Sequence, residues 1–224
     1  MTAPRKTASP EVLHYEVGSA DAMRALGAAC TSAIDASVVV AIDGELGAGK
    51  TVFVRGMAEG LGIDPSLVSS PTLVVMQRYT GGRMDLLHGD AYRLQSAAEL
   101  DAIGWGDAVN DRGVVAVLEW ASRVEASIPG SAIRIVLTHG ESATKSARML
   151  TLTDPDPVRA IRMQLAMDRA ILGAPCPICG RAVAPADASS PFCSPRCRSA
   201  DLGRWLSERY RVARPLGDDD FEGL

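Results

Sequence analysis

A chain of 224 residues can hold one domain of ordinary size plus a small appendage. Its hydrophobic content of 47% and charged content of 22% exclude a disordered chain, and a net charge of −4 excludes any global pull toward nucleic acid or membrane. The opening M-T-A-P-R-K-T-A-S-P lacks the apolar core of a signal peptide and no apolar run approaches the length of a membrane helix, so the expected compartment is the cytoplasm. In a reducing compartment five cysteines point to metal binding or free thiols, and four of them crowd into 176–197.

Residues 1–18 read as a loose leader with a first strand over 13–17. Ser19 is placed to cap a helix over 20–34, where Met23, Leu26, Cys30 and Ile34 share one face. Cys30 on that face reads as a buried structural thiol. The run V-V-V-A-I at 38–42 is a buried strand that stops at a glycine-dense loop, and a helix follows over 52–61. Gly44, Gly49, Lys50 and Thr51 satisfy G-x-x-x-x-G-K-[ST], the phosphate-binding loop. Its glycines let backbone N–H groups converge on phosphate oxygens, Lys50 reaches the β- and γ-phosphates, and the Thr51 hydroxyl binds Mg²⁺. The nucleotide-contacting set expected here is Gly44, Glu45, Leu46, Gly47, Ala48, Gly49, Lys50, Thr51 and Val52.

Beyond the loop helix lie Ser70-Pro71-Thr72, a β-rich run over 73–79, a Gly81-Gly82 turn and a second run over 84–88, together a hairpin signature. Ser70 and Thr72 belong either to a segment sensing the γ-phosphate or to an ordinary turn. Asp90, in H-G-D-A-Y-R-L, stands at a strand end, where it either contacts Mg²⁺ and positions water or caps a turn. A short helix suits 96–103, closed by Gly104. The stretch G-V-V-A-V-L-E-W at 113–120 is an apolar strand ending in a carboxylate, the way a Walker B acid is presented, so Glu119 is expected beside the loop as a Mg²⁺ ligand. Trp120 reads as core or site.

Two more strands, over 132–137 and 148–152 with the polar turn 140–146 between them, are expected at a sheet edge. Pro155 and Pro157 end a first domain at 154. A helix marked by Val158, Ile161, Leu165 and Leu172 then occupies a linker, 155–174, either packing on the domain or acting as a spacer. The fold class is α/β: a P-loop NTPase-like sheet with flanking helices, followed over 175–224 by a small four-cysteine module.

In that module Cys176 and Cys179 form a C-x2-C pair, and Cys193 and Cys197 a C-x3-C pair thirteen residues on. Four thiolates at these spacings close a tetrahedral shell with no open position, which points to structural Zn²⁺. A segment this short cannot bury a core alone, and metal ligation supplies about 10–16 kcal/mol toward folding such modules. Ser194 and Pro195 suit the N-cap and first position of a helix whose Leu202, Trp205, Leu206 and Tyr210 form an apolar stripe, expected as core. Seven arginines over 181–214 stand against Asp187, Asp201 and Glu208, a local +4 that permits a nucleic-acid contact, while the acidic tail D-D-D-F-E at 218–222 is expected to be disordered.

The ordered motifs G-E-L-G-A-G-K-T at 44–51, S-S-P-T at 69–72, H-G-D-A-Y-R-L at 88–94, E-L-x-x-I-G at 99–104 and L-E-W at 118–120 resemble the TsaE (YjeE) family, ATPases that assist synthesis of threonylcarbamoyladenosine in tRNA. The resemblance covers about 15–153. It implies ATP at the loop, Mg²⁺ at Thr51 and Glu119, a functional Asp90, a nucleotide-sensing Ser70 and Thr72, and Trp120 near the site. It further implies that a heterodimer of TsaD and TsaB is the partner, that hydrolysis resets this complex between rounds of transfer, and that tRNA is met through the complex. Val52 replaces a second threonine common in the family, and Gly89 a usual bulky residue; neither change removes a phosphate or metal ligand. With Lys50, Asp90 and Glu119 as the catalytic set and no assignable arginine finger, the expected activity is that of a slow, partner-dependent ATP hydrolase.

C-P-I-C-G at 176–180, P-F-C-S-P-R-C at 191–197 and D-L-G-R-W at 201–205 resemble YacG, a small zinc protein family described as inhibiting DNA gyrase. That resemblance implies binding to the gyrase B protein. The alternative reading is a chain that is primarily a zinc-dependent gyrase inhibitor or nucleic-acid binder with a regulatory nucleotide site.

Overall fold

Runs rich in Val, Ile and Leu form the middle of the sheet because both of its faces are covered. In the computed structural model, which describes residues 11–72, 75–140, 147–183 and 189–206, four such strands lie in parallel: Ile133–His139 (β6), Val38–Gly44 (β2), Val114–Glu119 (β5) and Asp85–Asp90 (β4). Met76–Tyr79 (β3) adds antiparallel to β4, completing the hairpin expected around Gly81-Gly82. On the other side Arg148–Asp154 (β7) pairs antiparallel with β6, and Glu11–Val17 (β1) antiparallel with β7. The order is β1-β7-β6-β2-β5-β4-β3. The expectation that the strands now called β6 and β7 form an edge is corrected: β6 lies against the central β2, and β1 covers β7 from Glu11↔Asp154 to Val17↔Arg148. The edges are β1 and β3.

Side-chain alternation along each strand divides the core in two. Val40, Ile42, Leu86, Val115, Val117, Ile133 and Ile135 face one way and share a cluster with side chains of Ala20–Thr31 (α1) and Lys50–Leu61 (α2). Val39, Ala41, Leu87, Ala116 and Leu118 face the other way, toward Ala97–Ala102 (α3), Trp105–Val109 (α4) and the 3₁₀ segment Ala121–Ser127. Ser19 caps α1 by accepting the N–H of Ala22, and its expected face of Met23, Leu26, Cys30 and Ile34 is buried, Ile34 just beyond the helix end. The helix expected over 96–103 stops at Ala102, and Gly104, in the left-handed region, starts a further helix, α4, that was not anticipated.

Helices α1 and α2 approach until backbone meets backbone. A Cβ added to Gly27 would lie 2.2 Å from the Phe53 carbonyl oxygen, one on Gly56 2.0 Å from that of Arg24, and one on Gly60 2.4 Å from that of Ala28. Gly56 and Gly60, one turn apart on α2, and Gly27 on α1 are therefore a packing surface, as small residues are wherever helices cross closely.

Pro157–Leu172 (α5) packs on this first unit, which runs to Ile171. Its buried residues are Ala160, Met163 and Met167, with Met163 Sδ 3.9 Å from Cys30 Sγ. Arg159 makes two 2.7 Å bonds to the buried Asp154 carboxylate, and the Tyr15 hydroxyl donates to Asp168 at 2.9 Å. The apolar positions that mark the helix in the sequence, Val158, Ile161 and Leu165, are exposed. The flexible, polarizable thioether of Met163 meets the Cys30 thiol.

The second unit, Leu172–Leu224, contains the strand pair Ala174–Pro175 (β8) and Ala182–Val183 (β9) and the helix Pro195–Leu206 (α6). Leu202, expected as core, is exposed. The leader before residue 11, residues 73–74, most of the polar turn, Asp187, Glu208, Tyr210 and the acidic tail lie outside the described residues. Among the described residues no helix is long and apolar enough to cross a membrane.

Candidate functional site

The parallel strands deliver the site. Strand β2 ends at Gly44, the loop turns through left-handed Gly47 and Gly49, and α2 begins at Lys50, so its first N–H groups point into the space above β2 and β5. Register places Asp90, the last residue of β4, directly beside Glu119, the last of β5. Both carboxylates are nearly fully buried.

Lys50 is buried as well. Its Nζ donates to the carbonyl oxygens of Gly44 at 2.6 Å and Glu45 at 2.9 Å, and lies 3.9 Å from the centroid of the Trp120 ring. Burial holds its pKa below the ordinary lysine range, while the charges of Glu119, Asp90 and Asp43 work the other way. The Thr51 hydroxyl donates to Glu119 Oε1 at 2.9 Å. Asp90 uses its two oxygens differently: Oδ1 accepts the Tyr92 N–H at 2.8 Å, and Oδ2 accepts the hydroxyls of Ser70 at 3.1 Å and Thr72 at 2.7 Å. The carboxylate that caps the turn thus also bonds Ser70 and Thr72.

These groups line a cavity of about 470 Å³, the size of an ordinary ligand site, together with Trp120 and Tyr92. Trp120 therefore lines the cavity and is not core alone. It takes φ 60°, an uncommon backbone for a side chain of that size, immediately after Glu119. Val75 takes φ 69° and accepts the Asp90 N–H at 2.9 Å, so both acids have a strained neighbour. Of the remaining loop positions, Leu46, Gly47, Gly49 and Val52 also line the cavity, Ala48 is buried beneath it, and the Glu45 carboxylate pairs with His139 at 3.4 Å.

A second cavity, about 220 Å³, shares Gly47, Gly49 and Val52 with the first and adds Ser19, Met23 and Arg148. Arg148 donates to the Gly47 carbonyl oxygen at 3.3 Å. Neither Arg148 nor His88, whose Nε2 is 2.9 Å from Glu119 Oε1, stood out in the sequence. His88 had a signal: it precedes Asp90 by two, so both point to one face of β4. Arg148 had none, because its loop partner is 101 residues away.

The donor set of Thr51, Asp90 and Glu119 is all oxygen, with two carboxylates, which fits Mg²⁺. In the second unit the Sγ atoms of Cys176, Cys179, Cys193 and Cys197 lie within 4.8 Å of one another. Zinc–sulfur bonds of about 2.3 Å in a tetrahedron require sulfur separations of about 3.8 Å. Cys179–Cys193 at 3.4 Å, Cys193–Cys197 at 3.7 Å and Cys179–Cys197 at 3.8 Å match that spacing. Burial works to raise the Cys176 thiol, but backbone hydrogen bonds from Cys193, Ile178 and Cys179 outweigh it and bring it down to about 6, while the side-chain hydrogen bond to Cys179, with burial, pushes Cys193 up to about 12.

A family model described as "Threonylcarbamoyl adenosine biosynthesis protein TsaE" matches residues 17–148, and one described as "DNA gyrase inhibitor YacG" matches 174–222. The chain is 37% identical over 115 residues to the tRNA threonylcarbamoyladenosine biosynthesis protein TsaE of Bacillus subtilis, covering 51% of this chain and 68% of that relative. Its C-terminal part is 57% identical over 47 residues to the DNA gyrase inhibitor YacG of Methylorubrum extorquens, covering 20% of this chain and 61% of that relative. The solved structure titled "Crystal structure of Bacillus subtilus YdiB" superposes with a TM-score of 0.56 at 26% identity, covering 70% of this chain and 95% of that one. A four-cysteine cluster inside a YacG-type domain thus follows a P-loop-like domain, and by the match over 17–148, more than half its length, the chain belongs to the TsaE family.

Proposed function

We propose that this protein is a Mg²⁺-dependent ATP hydrolase that supports threonylcarbamoyladenosine modification of tRNA together with TsaD and TsaB. The observation that carries this reading is the convergence of Lys50, Thr51, Asp90 and Glu119 on one cavity from the loop helix, β4 and β5. A triphosphate seated at the start of α2 meets the free N–H groups of the helix, and Lys50 exchanges the Gly44 and Glu45 carbonyls for phosphate oxygens. Mg²⁺, held by Thr51 and Glu119, supplies charge neutralisation on the phosphoryl oxygens. Asp90 orients the attacking water and, through Ser70 and Thr72, ties the γ-phosphate end of the site to the segment after α2. The nucleoside enters the second cavity, with Met23 below and the Arg148 guanidinium beside it. No arginine lines the first cavity among the described residues, in keeping with slow turnover until the partner proteins dock.

The C-terminal module holds a structural Zn²⁺ on Cys176, Cys179, Cys193 and Cys197 and binds the DNA gyrase B protein; the YacG match favours this as a separate activity. The protein works in the cytoplasm and meets tRNA through the TsaD and TsaB complex.

The deciding experiment is threonylcarbamoylation of tRNA over several turnovers with purified TsaD and TsaB, comparing the full chain with Lys50→Ala. Product beyond one equivalent is expected only with the unaltered chain. If Lys50→Ala sustains turnover equally well, the ATPase assignment fails and the gyrase reading takes its place; in that reading gyrase supercoiling is inhibited by both proteins alike.

A further inference from the structure

His88 is the one fully buried histidine of the described residues, and it is placed against the site. It sits in β4 between Leu87 and Gly89, its backbone in register with Val117 of β5 and Gln77 of β3. Its Nε2 lies 2.9 Å from Glu119 Oε1, and its Nδ1 is buried with no hydrogen-bond partner. The same Oε1 accepts the Thr51 hydroxyl, so Thr51 and His88 both bond one oxygen of the carboxylate. In the tautomer that carries its proton on Nε2, His88 donates to Oε1 as Thr51 does. Leu86, Val115 and Val117 beside His88 on this face are apolar, with Gln77 of β3 in register and Asp90 two residues on. A leucine or valine would suit such a position without leaving a nitrogen unpaired, so burying this imidazole works against stability. One function that an apolar residue cannot perform is the bond to Glu119.

We propose that His88 is a positioning residue for the metal-binding carboxylate: it holds Glu119 by Oε1 so that the group keeps its orientation when Thr51 turns from Glu119 to the ion. Without His88, Glu119 loses the partner that remains in that exchange, and the carboxylate must be ordered at the expense of metal affinity. The proposal rests on the reading of Thr51 and Glu119 as Mg²⁺ ligands, and it makes a prediction about Mg²⁺ binding that does not involve turnover.

The test measures ATP affinity by calorimetry on the full chain with Mg²⁺ and with EDTA, taking the ratio as the magnesium increment. His88→Leu removes the donor, and His88→Gln restores an amide N–H near the Nε2 position. Expected results are an increment reduced at least about tenfold in His88→Leu and recovered in His88→Gln, with affinity in EDTA unchanged in both. Because an unpaired nitrogen leaves together with a paired one, the melting temperature should move little. A His88→Leu protein that keeps the increment overturns the proposal, as does one that loses affinity equally with and without Mg²⁺. Should His88→Leu not fold, His88→Asn, whose amide stops short of Glu119, must lose the increment that His88→Gln keeps. If the unaltered chain itself shows no magnesium increment, it is the underlying reading of Thr51 and Glu119 that fails.

Discussion

Thr51 and Glu119 stand 68 residues apart in the chain and are joined by a 2.9 Å hydrogen bond at the mouth of the sheet. One belongs to the start of α2 and the other to the end of β5, so the bond links the phosphate loop to the strand that presents the buried acid. A Mg²⁺ ion bound here would be held by both oxygens, the Thr51 hydroxyl and the Glu119 carboxylate, in place of their mutual bond.

Replacement Glu119→Gln keeps the shape and the hydrogen bond from Thr51 but removes the charge. ATP affinity in Mg²⁺ should fall about tenfold or more, while affinity in EDTA stays the same or improves, because a buried negative charge no longer opposes the phosphates. Calorimetry with both buffers decides it; normal Mg²⁺-ATP binding removes Glu119 from the ligand set.

Asp90→Asn separates chemistry from binding. The amide still caps the turn at Tyr92 through its oxygen, and its NH₂ group meets the Ser70 and Thr72 hydroxyls, which can accept as well as donate. Hydrolysis should drop about a hundredfold with ATP affinity altered by no more than about threefold. Equal loss of both in a phosphate-release assay and a binding titration shows that Asp90 acts only by holding the segment in place.

For Arg148→Ala the discriminating ligand is inorganic tripolyphosphate. Loss of the guanidinium beside the second cavity should weaken ATP about five- to tenfold and leave tripolyphosphate affinity unchanged. Parallel weakening of both identifies the bond to Gly47 as a brace for the loop and removes Arg148 from the nucleoside site.

At Gly56 the added methyl of alanine would sit 2.0 Å from a backbone oxygen of α1, which no rotamer change relieves. The gain in helix propensity, about 1 kcal/mol, is smaller than the cost of pushing the helices apart, and a net loss of about 2 kcal/mol is expected. Urea unfolding reads it directly. Gly106→Ala, where a methyl meets nothing within 4 Å, is the control and should be neutral or mildly stabilising.

Thiol chemistry distinguishes the five cysteines. Burial, with the Asp154 carboxylate adding to it, pushes Cys30 up to about 12, so below that pH it stays a thiol and is inert to alkylation in the folded chain. After zinc is stripped by a chelator, four thiols should react with iodoacetamide and Cys30 should react only on unfolding. The raised value also sets a sign. The unfolded chain releases this proton at about 8.5, before the folded one, so stability is unaffected at neutral pH and falls as pH rises above that value.

The candidate site residues can be picked out of the sequence where each carries a local pattern. Gly44 to Thr51 is one loop, the four cysteines span 176–197, and Glu119 announces itself by ending an apolar strand. Such signals are local because a group as small as a phosphate or a zinc ion can be surrounded by a short segment. Tertiary structure alone decided what covers what. It placed β7 inside the sheet by laying β1 along it, set β6 against the central β2, and turned Met163 of α5 toward Cys30, leaving Val158, Ile161 and Leu165 exposed. It also brought α1 onto the glycines of α2 and set His88 and Arg148 against the site. Period and propensity fix which element forms and which faces it offers, but the partner of a face lies tens to more than a hundred residues away. That partner is selected by the packing of the whole core, a property that no short window of sequence contains.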